Sequence, residues 1–374
     1  MIELFKSSIK SHGFIGDTKL PVLVYLTFIT ALFDKPVSLL VKGAASSGKS
    51  YALACAKRYV PEIAYKQFEG MSEKALVYMG GTQDLKHRTL IVQEAAGMAS
   101  GDGRVFLRQL LTEGSIHYAT VQQTKDGFVG TELPPVEGPC GLIMTTTASS
   151  IHHEDETRML SFHMEESPEH FREILMRQAS GYEGTTLTEE ELKPFHDLYF
   201  FLREQKPEVE IPFLGEIAEA LPPSHPRILR DFPKIVSLVK AVALLHVSER
   251  ERGEDGQVIA QVKDYEIVRD LLNDVLSQGL SISVPSGVRE VVECVEALTQ
   301  GERDGSNFPF SNAVSQKEIA RYLGLDPSVV SRHVFKAVQD EYLHDDNPGQ
   351  GKKARLRLGE EKLPSGSVLP TLLT

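Results

Sequence analysis

The chain has 374 residues, 41% of them hydrophobic and 25% charged, an ordinary soluble composition with room for two or three cores. Its formal net charge of -12 excludes a nonspecific basic coat for nucleic acid, so any DNA contact must come from a local basic surface on an acidic body. Cys55, Cys140 and Cys294 show neither CxxC nor metal-ligand spacing, which argues against zinc and fits a reducing cytoplasm.

The first strong pattern is the apolar run Leu20 to Phe33, shorter than the ~20 residues that span a bilayer and therefore read as a buried helix. Glu3 and Lys6 precede it without the charge and hydropathy order of a signal peptide, so the expectation is a cytoplasmic protein with no membrane association. After Pro36, Val37 to Val41 reads as a buried parallel strand. A helix over Tyr51 to Tyr59, a strand over Ile63 to Phe68, a helix over Ser72 to Met79 and a strand over Thr89 to Val92 follow. Alternating strands and helices predict a doubly wound sheet. Between Ser115 and Leu133 two β-rich arms flank Lys125-Asp126-Gly127, a hairpin signal. Gly141 to Met144 restores a core strand and runs into Thr145-Thr146-Thr147, polar groups at the strand end where such sheets bind ligands.

From Glu189 onward the pattern turns helical, with segments Glu189 to Glu204, Gly215 to Leu221 and Ile228 to Ser248 broken by Pro222, Pro223 and Pro226. Asp264 is placed as the cap of a helix through Ser277, and a boundary falls near Ser281 to Gly287. Helices over Val288 to Leu298, Gln316 to Leu323 and Pro327 to Asp340, then a basic strand through Lys352, Lys353, Arg355 and Arg357, give the element order of a winged helix-turn-helix. Residues Pro364 to Thr374 read as an extended tail.

The sharpest chemical motif is Gly43-Ala44-Ala45-Ser46-Ser47-Gly48-Lys49-Ser50, a full G-x-x-x-x-G-K-[ST] match between a strand and a helix. Its backbone N-H groups and the helix amino terminus suit ATP phosphates, Lys49 brings a point charge to the β/γ-phosphates, and Ser50 is the magnesium ligand. Tyr51 and Gln93 complete the expected nucleotide contacts. Leu90 to Glu94 is an apolar strand with a polar end, where Glu94 is suited to polarise the attacking water. Gln93 stands where an Asp is expected; it offers no negative charge toward magnesium, which implies slower hydrolysis or a greater magnesium requirement.

In combination these motifs resemble the AAA+ core of the minichromosome-maintenance (MCM) replicative helicases, and more closely the related helicases of bacterial mobile elements. The resemblance spans about Val37 to Ala243 and the terminal winged helix. It implies an α/β fold: an AAA+ P-loop doubly wound parallel sheet with an α-helical lid and a C-terminal winged helix-turn-helix. By that resemblance Lys125, at the tip of the hairpin before the sensor-1 strand, contacts DNA. Thr147 takes the sensor-1 position usually held by Asn, and Arg158 in Thr157-Arg158-Met159 is the arginine finger that reaches a neighbouring subunit's γ-phosphate. Arg230 is the sensor-2 residue, with Arg227 as substitute. The segment from Phe68 to Thr89 is too short for the family's second-helix insertion, and no oligonucleotide-binding tier precedes the motor. Either such a tier is dispensable or another chain provides it, and the mobile-element relatives imply a longer parent protein or a primase partner.

The implied organisation is a helical segment over 1–35, an ATPase core over 36–180 with its hairpin at 115–134, a lid over 181–282, a winged helix over 286–360 and a tail over 361–374. In the winged helix, Asp326 caps the recognition helix, and Ser328, Ser331, Arg332 and Lys336 face a groove or backbone. Lys352, Lys353, Arg355 and Arg357 line the wing. The leading expectation is an oligomeric, hexameric DNA helicase or translocase driven by ATP and magnesium on single-stranded or forked DNA. A DNA-binding regulator or helicase loader, switched by ATP with weak turnover, is the alternative. A small-molecule kinase explains neither the hairpin nor the winged helix.

Overall fold

In the computed structural model, strand formation follows burial. The structure describes every residue except 73, 82–84, 94–100, 125–126, 148–152, 165–167, 180–185, 222–226, 282–285, 301–312, 348–353, 361–362, 364–368 and 373–374. Among the described residues no helix is long and apolar enough to cross a membrane. The chain divides into two units, residues 1–275 with 369–374, and residues 276–368.

The first unit opens with helices α1 (Ile2–Ser11) and α2 (Lys19–Thr30), then strand β1 (Ser38–Lys42), α3 (Lys49–Lys57), β2 (Tyr65–Phe68) and β3 (Arg88–Val92). Helix α4 (Gly101–Glu113) leads to β4 (Ser115–Ile116), the ribbon β5 (Ala119–Thr124) and β6 (Gly127–Glu132), and β7 (Val136–Glu137). The sheet resumes with β8 (Cys140–Thr146), the short α5 (His153–Glu156) and β9 (Leu160–His163). Sheet order is β2-β3-β8-β1-β9, and every neighbouring pair is parallel.

Register explains the two-sided burial. Leu40 and Val92 flank Met144, and Leu90 faces Leu142, all in one cluster with Phe106, Leu107 and Leu110 of α4. The alternate residues Leu39, Ile91 and Ile143 share the other face and are fully buried. A strand covered on both faces must be apolar throughout, which is why β1 and β8 carry almost continuous apolar runs. Helix α2, buried along nearly its whole length, packs on β8, α3 and the later helix α9 (Ile228–Leu245). Phe5, Tyr25 and Tyr59 cluster with Phe195 at ring separations of 4.7 to 6.4 Å, geometry that favours aromatic contacts.

The helical part follows as α6 (Pro168–Ala179), α7 (Glu189–Gln205), β10 (Val209–Glu210), α8 (Leu214–Ala220), α9 (Ile228–Leu245), β11 (Val258–Ile259) and α10 (Val262–Ser281). Thr188 and Glu191 form a reciprocal capping box on α7, which fixes its start.

Three local expectations differ from the structure. Among the described residues of Ser72 to Met79 the one helical stretch is a 3-10 turn at Val77–Met79; it ends at Gly80, where a Cβ would overlap the Pro134 carbonyl oxygen. Asp264 lies in the first turn of α10 rather than ahead of it; its carboxylate accepts the Gln261 N-H at 2.9 Å and pairs with Arg250 at 2.5 Å. The tail, expected only to be extended, is held against α10 at residues 369–372. Leu369 and Leu372 are buried, Tyr265 Oη donates to the Pro370 carbonyl at 2.8 Å, and Arg269 donates to Thr371 Oγ1 at 3.1 Å.

The second unit contains α11 (Ser286–Gln300), α12 (Gln316–Leu323), α13 (Pro327–Gln339) and the antiparallel pair β12 (Leu343–Asp345) and β13 (Leu356–Leu358). Val291, Val295, Ile319, Val330, Val334 and Leu356 meet in its own core. A Ser315–Glu318 capping box starts α12, Gly324 in the left-handed region ends it, and Asp326 caps α13 through the Ser328 N-H.

Candidate functional site: a phosphate loop and the acidic turn bound to it

β1 places the phosphate loop at the carboxyl end of the sheet. The strand lies between β8 and β9, parallel to both, and the loop that follows it opens at the carboxyl edge where α/β sheets bind ligands. Ser46 and Gly48 adopt positive φ of 66° and 90°, which turns the chain sharply into α3. Ala44, Ala45, Ser46 and Ser50 are exposed, whereas Ser47 and Lys49 are buried. Lys49 Nζ donates to the Gly43 carbonyl at 2.8 Å and the Ala44 carbonyl at 2.6 Å, and it lies 3.4 Å from Ser47 Oγ. The ammonium is thus held at the loop's centre by the loop's own backbone. Gly43 is sterically required: a Cβ there would lie 2.8 Å from Ser47 Oγ and 2.9 Å from Met164 Cβ. Exposed N-H groups, a central cation and a helix amino terminus fit a polyphosphate, and the exposed Ser50 hydroxyl fits a magnesium held chiefly through phosphate and water.

Tyr51 is half exposed and stacks on Phe14, with ring centroids 5.9 Å apart and planes within 2°. Gln93 directly follows β3, and its N-H donates to the Phe68 carbonyl at 3.1 Å. Thr147 follows β8 and is exposed, after the buried Thr145 and Thr146. Glu94, the expected water-polarising carboxylate, lies outside the described residues, as do Lys125, Lys352 and Lys353.

The turn from Glu154 to Arg158 is a junction that sequence reasoning saw only at Arg158. Lys42, the last residue of β1, donates to Glu156 Oε1 at 2.6 Å, and both side chains are buried. Burial opposes the charge on Glu156, but the Lys42 hydrogen bond and charge prevail and hold its pKa below the ordinary carboxylate value. Burial, then the Lys42 charge, lowers that of His163 on β9. Asp155 accepts from Arg104 Nε at 2.8 Å and from Arg108 Nε, while Arg108 also pairs with Glu154 at 3.0 Å. One short turn therefore connects the foot of the phosphate loop to α4.

α9 closes the other side. Arg230 Nη1 donates to Thr157 Oγ1 at 2.6 Å. Lys234 donates to the Thr157 carbonyl at 3.0 Å and pairs with buried Asp231 at 2.8 Å, and Arg227 also meets Asp231 at 3.1 Å. Burial lowers the Lys234 pKa although Asp231 opposes the shift. The structure thus brings Arg230 to the segment that carries Arg158, with Arg227 one step removed. Arg158 itself donates to Thr112 Oγ1 and lies 3.4 Å from Glu154, about a quarter exposed. Its Nε is buried and finds no acceptor among the described residues. The missed residues did leave a trace: Lys42 closes an otherwise apolar strand, and Arg104 and Arg108 share a helical face four residues apart opposite an acidic run.

In the second unit, Ser328, Ser331, Arg332 and Lys336 are exposed together on α13. Lys336 pairs with Asp340 at 2.8 Å and Arg357 with Asp346 at 2.8 Å. Local acids therefore offset part of the basic surface formed with exposed Arg355.

No protein-family model and no curated protein matches the chain. Among solved structures it is similar to the Orc1 protein of Aeropyrum pernix in complex with DNA, at 11% identity and a TM-score of 0.28 over 92% of this chain and 88% of that one. It is likewise similar to the Thermotoga maritima RuvB Holliday junction branch migration motor, at 13% identity and a TM-score of 0.28 over 92% of this chain and 93% of that one. Likenesses this loose decide neither ligand nor activity; the α/β assignment stands on the chain's own parallel sheet and phosphate loop.

Proposed function

We propose that the chain is an AAA+ type ATPase that assembles into a ring, a hexamer by its MCM resemblance, and moves along DNA as a helicase or translocase of a mobile element. The observation that carries the reading is the junction just described, in which the foot of the phosphate loop, the segment bearing Arg158 and the head of α9 are bound to one turn. In such an arrangement a change at the phosphates is felt at once by the residue that would reach a neighbouring protomer. The domain limits are those expected from the sequence, with 286–360 as a winged helix.

ATP and magnesium supply a labile phosphoanhydride and a counter-charge when bound. Gly43 to Gly48 wrap the phosphates, Lys49 offsets charge developing on the transferred group, Ser50 ligates the metal, and Tyr51 and Gln93 line the remainder of the site. Glu94 orients the water, with Thr147 as the second polar group, and Arg230 reports the γ-phosphate from α9. Arg158 exchanges its Glu154 contact for the phosphate of the adjoining protomer, where its fixed fork suits transferring oxygens. Lys125 grips the DNA backbone, and Arg332, Lys336, Lys352, Lys353, Arg355 and Arg357 provide the second contact. A primase partner would complete the replicative machine.

Lys49→Ala and Arg158→Ala should each abolish ATP hydrolysis, while a mixture of the two regains it, because about a quarter of randomly formed heterologous interfaces combine an intact loop with an intact finger. Activity in a mixture that stays at zero, despite confirmed co-assembly, would refute the shared site. Unwinding of forked DNA by the wild type, lost in Lys125→Ala, tests the motor. Gln93 favours one alternative, an ATP-switched loader or regulator, since a neutral side chain there weakens magnesium binding; ATP-dependent assembly on DNA without strand separation would select it.

A further inference from the structure

The β5–β6 ribbon carries more exposed apolar surface than a solvated hairpin requires. Pairing of Thr124 with Gly127 leaves Lys125 and Asp126 between the arms. Residues Ala119, Val121 and Gln123 share one face with Glu132, Gly130 and Phe128, and Thr120 and Gln122 share the other with Thr131 and Val129. Phe128 is 76% exposed and Val121 65% exposed. They are diagonal neighbours, and Gly130 opposite Val121 adds no side chain that would cover the ring. From Ala119 to Thr131 the one acid is Asp126, in a chain whose acids outnumber its Lys and Arg by 12 (52 against 40).

We infer that Phe128 stacks on an unpaired nucleobase, so that the ribbon holds single-stranded nucleic acid by its bases as well as by its backbone. An aromatic ring fits any base because every base has a π face, while the uncharged Gln122, Gln123 and Thr120 offer donors and acceptors without repelling phosphate. A second copy of the chain is the poorer occupant. Six residues at ~3.4 Å rise on two strands ~4.8 Å apart present a face of roughly 200 Å², about a quarter of the ~800 Å² per partner that a stable interface buries. The inference rests on the polynucleotide-motor reading and names a contact which that reading does not contain.

The chain has no tryptophan, so Phe128→Trp introduces a single reporter at the ring's position. In the whole 374-residue chain with nucleotide, its emission should be quenched by oligodeoxythymidylate and not by a blunt duplex. Binding of the oligomer should weaken about 5- to 100-fold in Phe128→Ala and in Phe128→Leu, the cost of one lost stack, and recover to near wild type in Phe128→Tyr. An unquenched reporter together with wild-type affinity in Phe128→Ala overturns the inference and leaves the motor intact. Equal quenching by duplex overturns it too. An emission blue-shifted with rising protein concentration and no DNA assigns the ring to a subunit contact instead. Absence of any oligomer binding by the wild type removes the motor reading itself.

Discussion

At the level of single residues, the phosphate loop depends on what is missing at Gly43 as much as on what Lys49 brings. Replacing Gly43 with Ala drives a methyl into Ser47 and Met164. We expect a loss of about 1–3 kcal/mol by overpacking, measured by urea denaturation, together with weaker binding of a fluorescent nucleotide. Gly70→Ala meets nothing within 4 Å and should stay within about 0.5 kcal/mol of wild type. The buried Lys42–Glu156 pair makes a second prediction. Glu156→Gln leaves an ammonium buried beside a neutral amide, which costs about 3–5 kcal/mol at neutral pH, whereas Lys42→Met combined with Glu156→Leu recovers most of it. The pH dependence has a definite sign. Glu156 and His163 both have folded pKa values below their ordinary 4.5 and 6.5, so the unfolded chain binds more protons as pH falls. Their contribution to stability is complete above those unfolded values. The His163 part is lost below 6.5 and the Glu156 part below 4.5, each as pH falls through the lowered folded value. His163→Gln should flatten the upper limb and Glu156→Gln the lower limb of stability plotted against pH; unchanged limbs would reject the assignment.

At the level of elements, helix starts are set by side chains close in sequence. Thr188 on α7 and Ser315 on α12 each belong to a complete capping box, and Ala at either position should cost about 1 kcal/mol. Such local devices are visible in a sequence because donor and acceptor are three residues apart. The Ser72 to Met79 segment shows the converse. Its residues suit a helix, yet among the described ones only Val77–Met79 is helical, as a 3-10 turn, and the residue after it, Gly80, packs on Pro134, more than fifty residues away. The hairpin lies between these cases: its two arms are legible from residue types, but Gly127, read in the sequence as part of the turn, is already the first residue of β6, with φ of 125°.

For the whole molecule, two units with separate apolar cores predict two unfolding transitions in urea. Ser315→Ala should shift only the transition of residues 276–368, and Thr188→Ala only that of the first unit, with residue-resolved hydrogen exchange as the measurement; a single transition moved equally by both would contradict independent cores. The amino-acid order by itself determined the phosphate loop, the buried strands, the Asp326 cap of α13, and the order of three helices and a closing strand in the second unit. These are set by short-range spacing or by burial periodicity. Only the tertiary structure decided that Lys42 meets Glu156 across 114 residues, that Arg230 and Lys234 hold the Thr157 segment, that Arg104 and Arg108 converge on Asp155, and that Pro370 and Thr371 return to α10. A charged residue carries no mark of its partner until folding brings the two together in a medium of low dielectric, and that meeting is settled by how the sheet and helices pack.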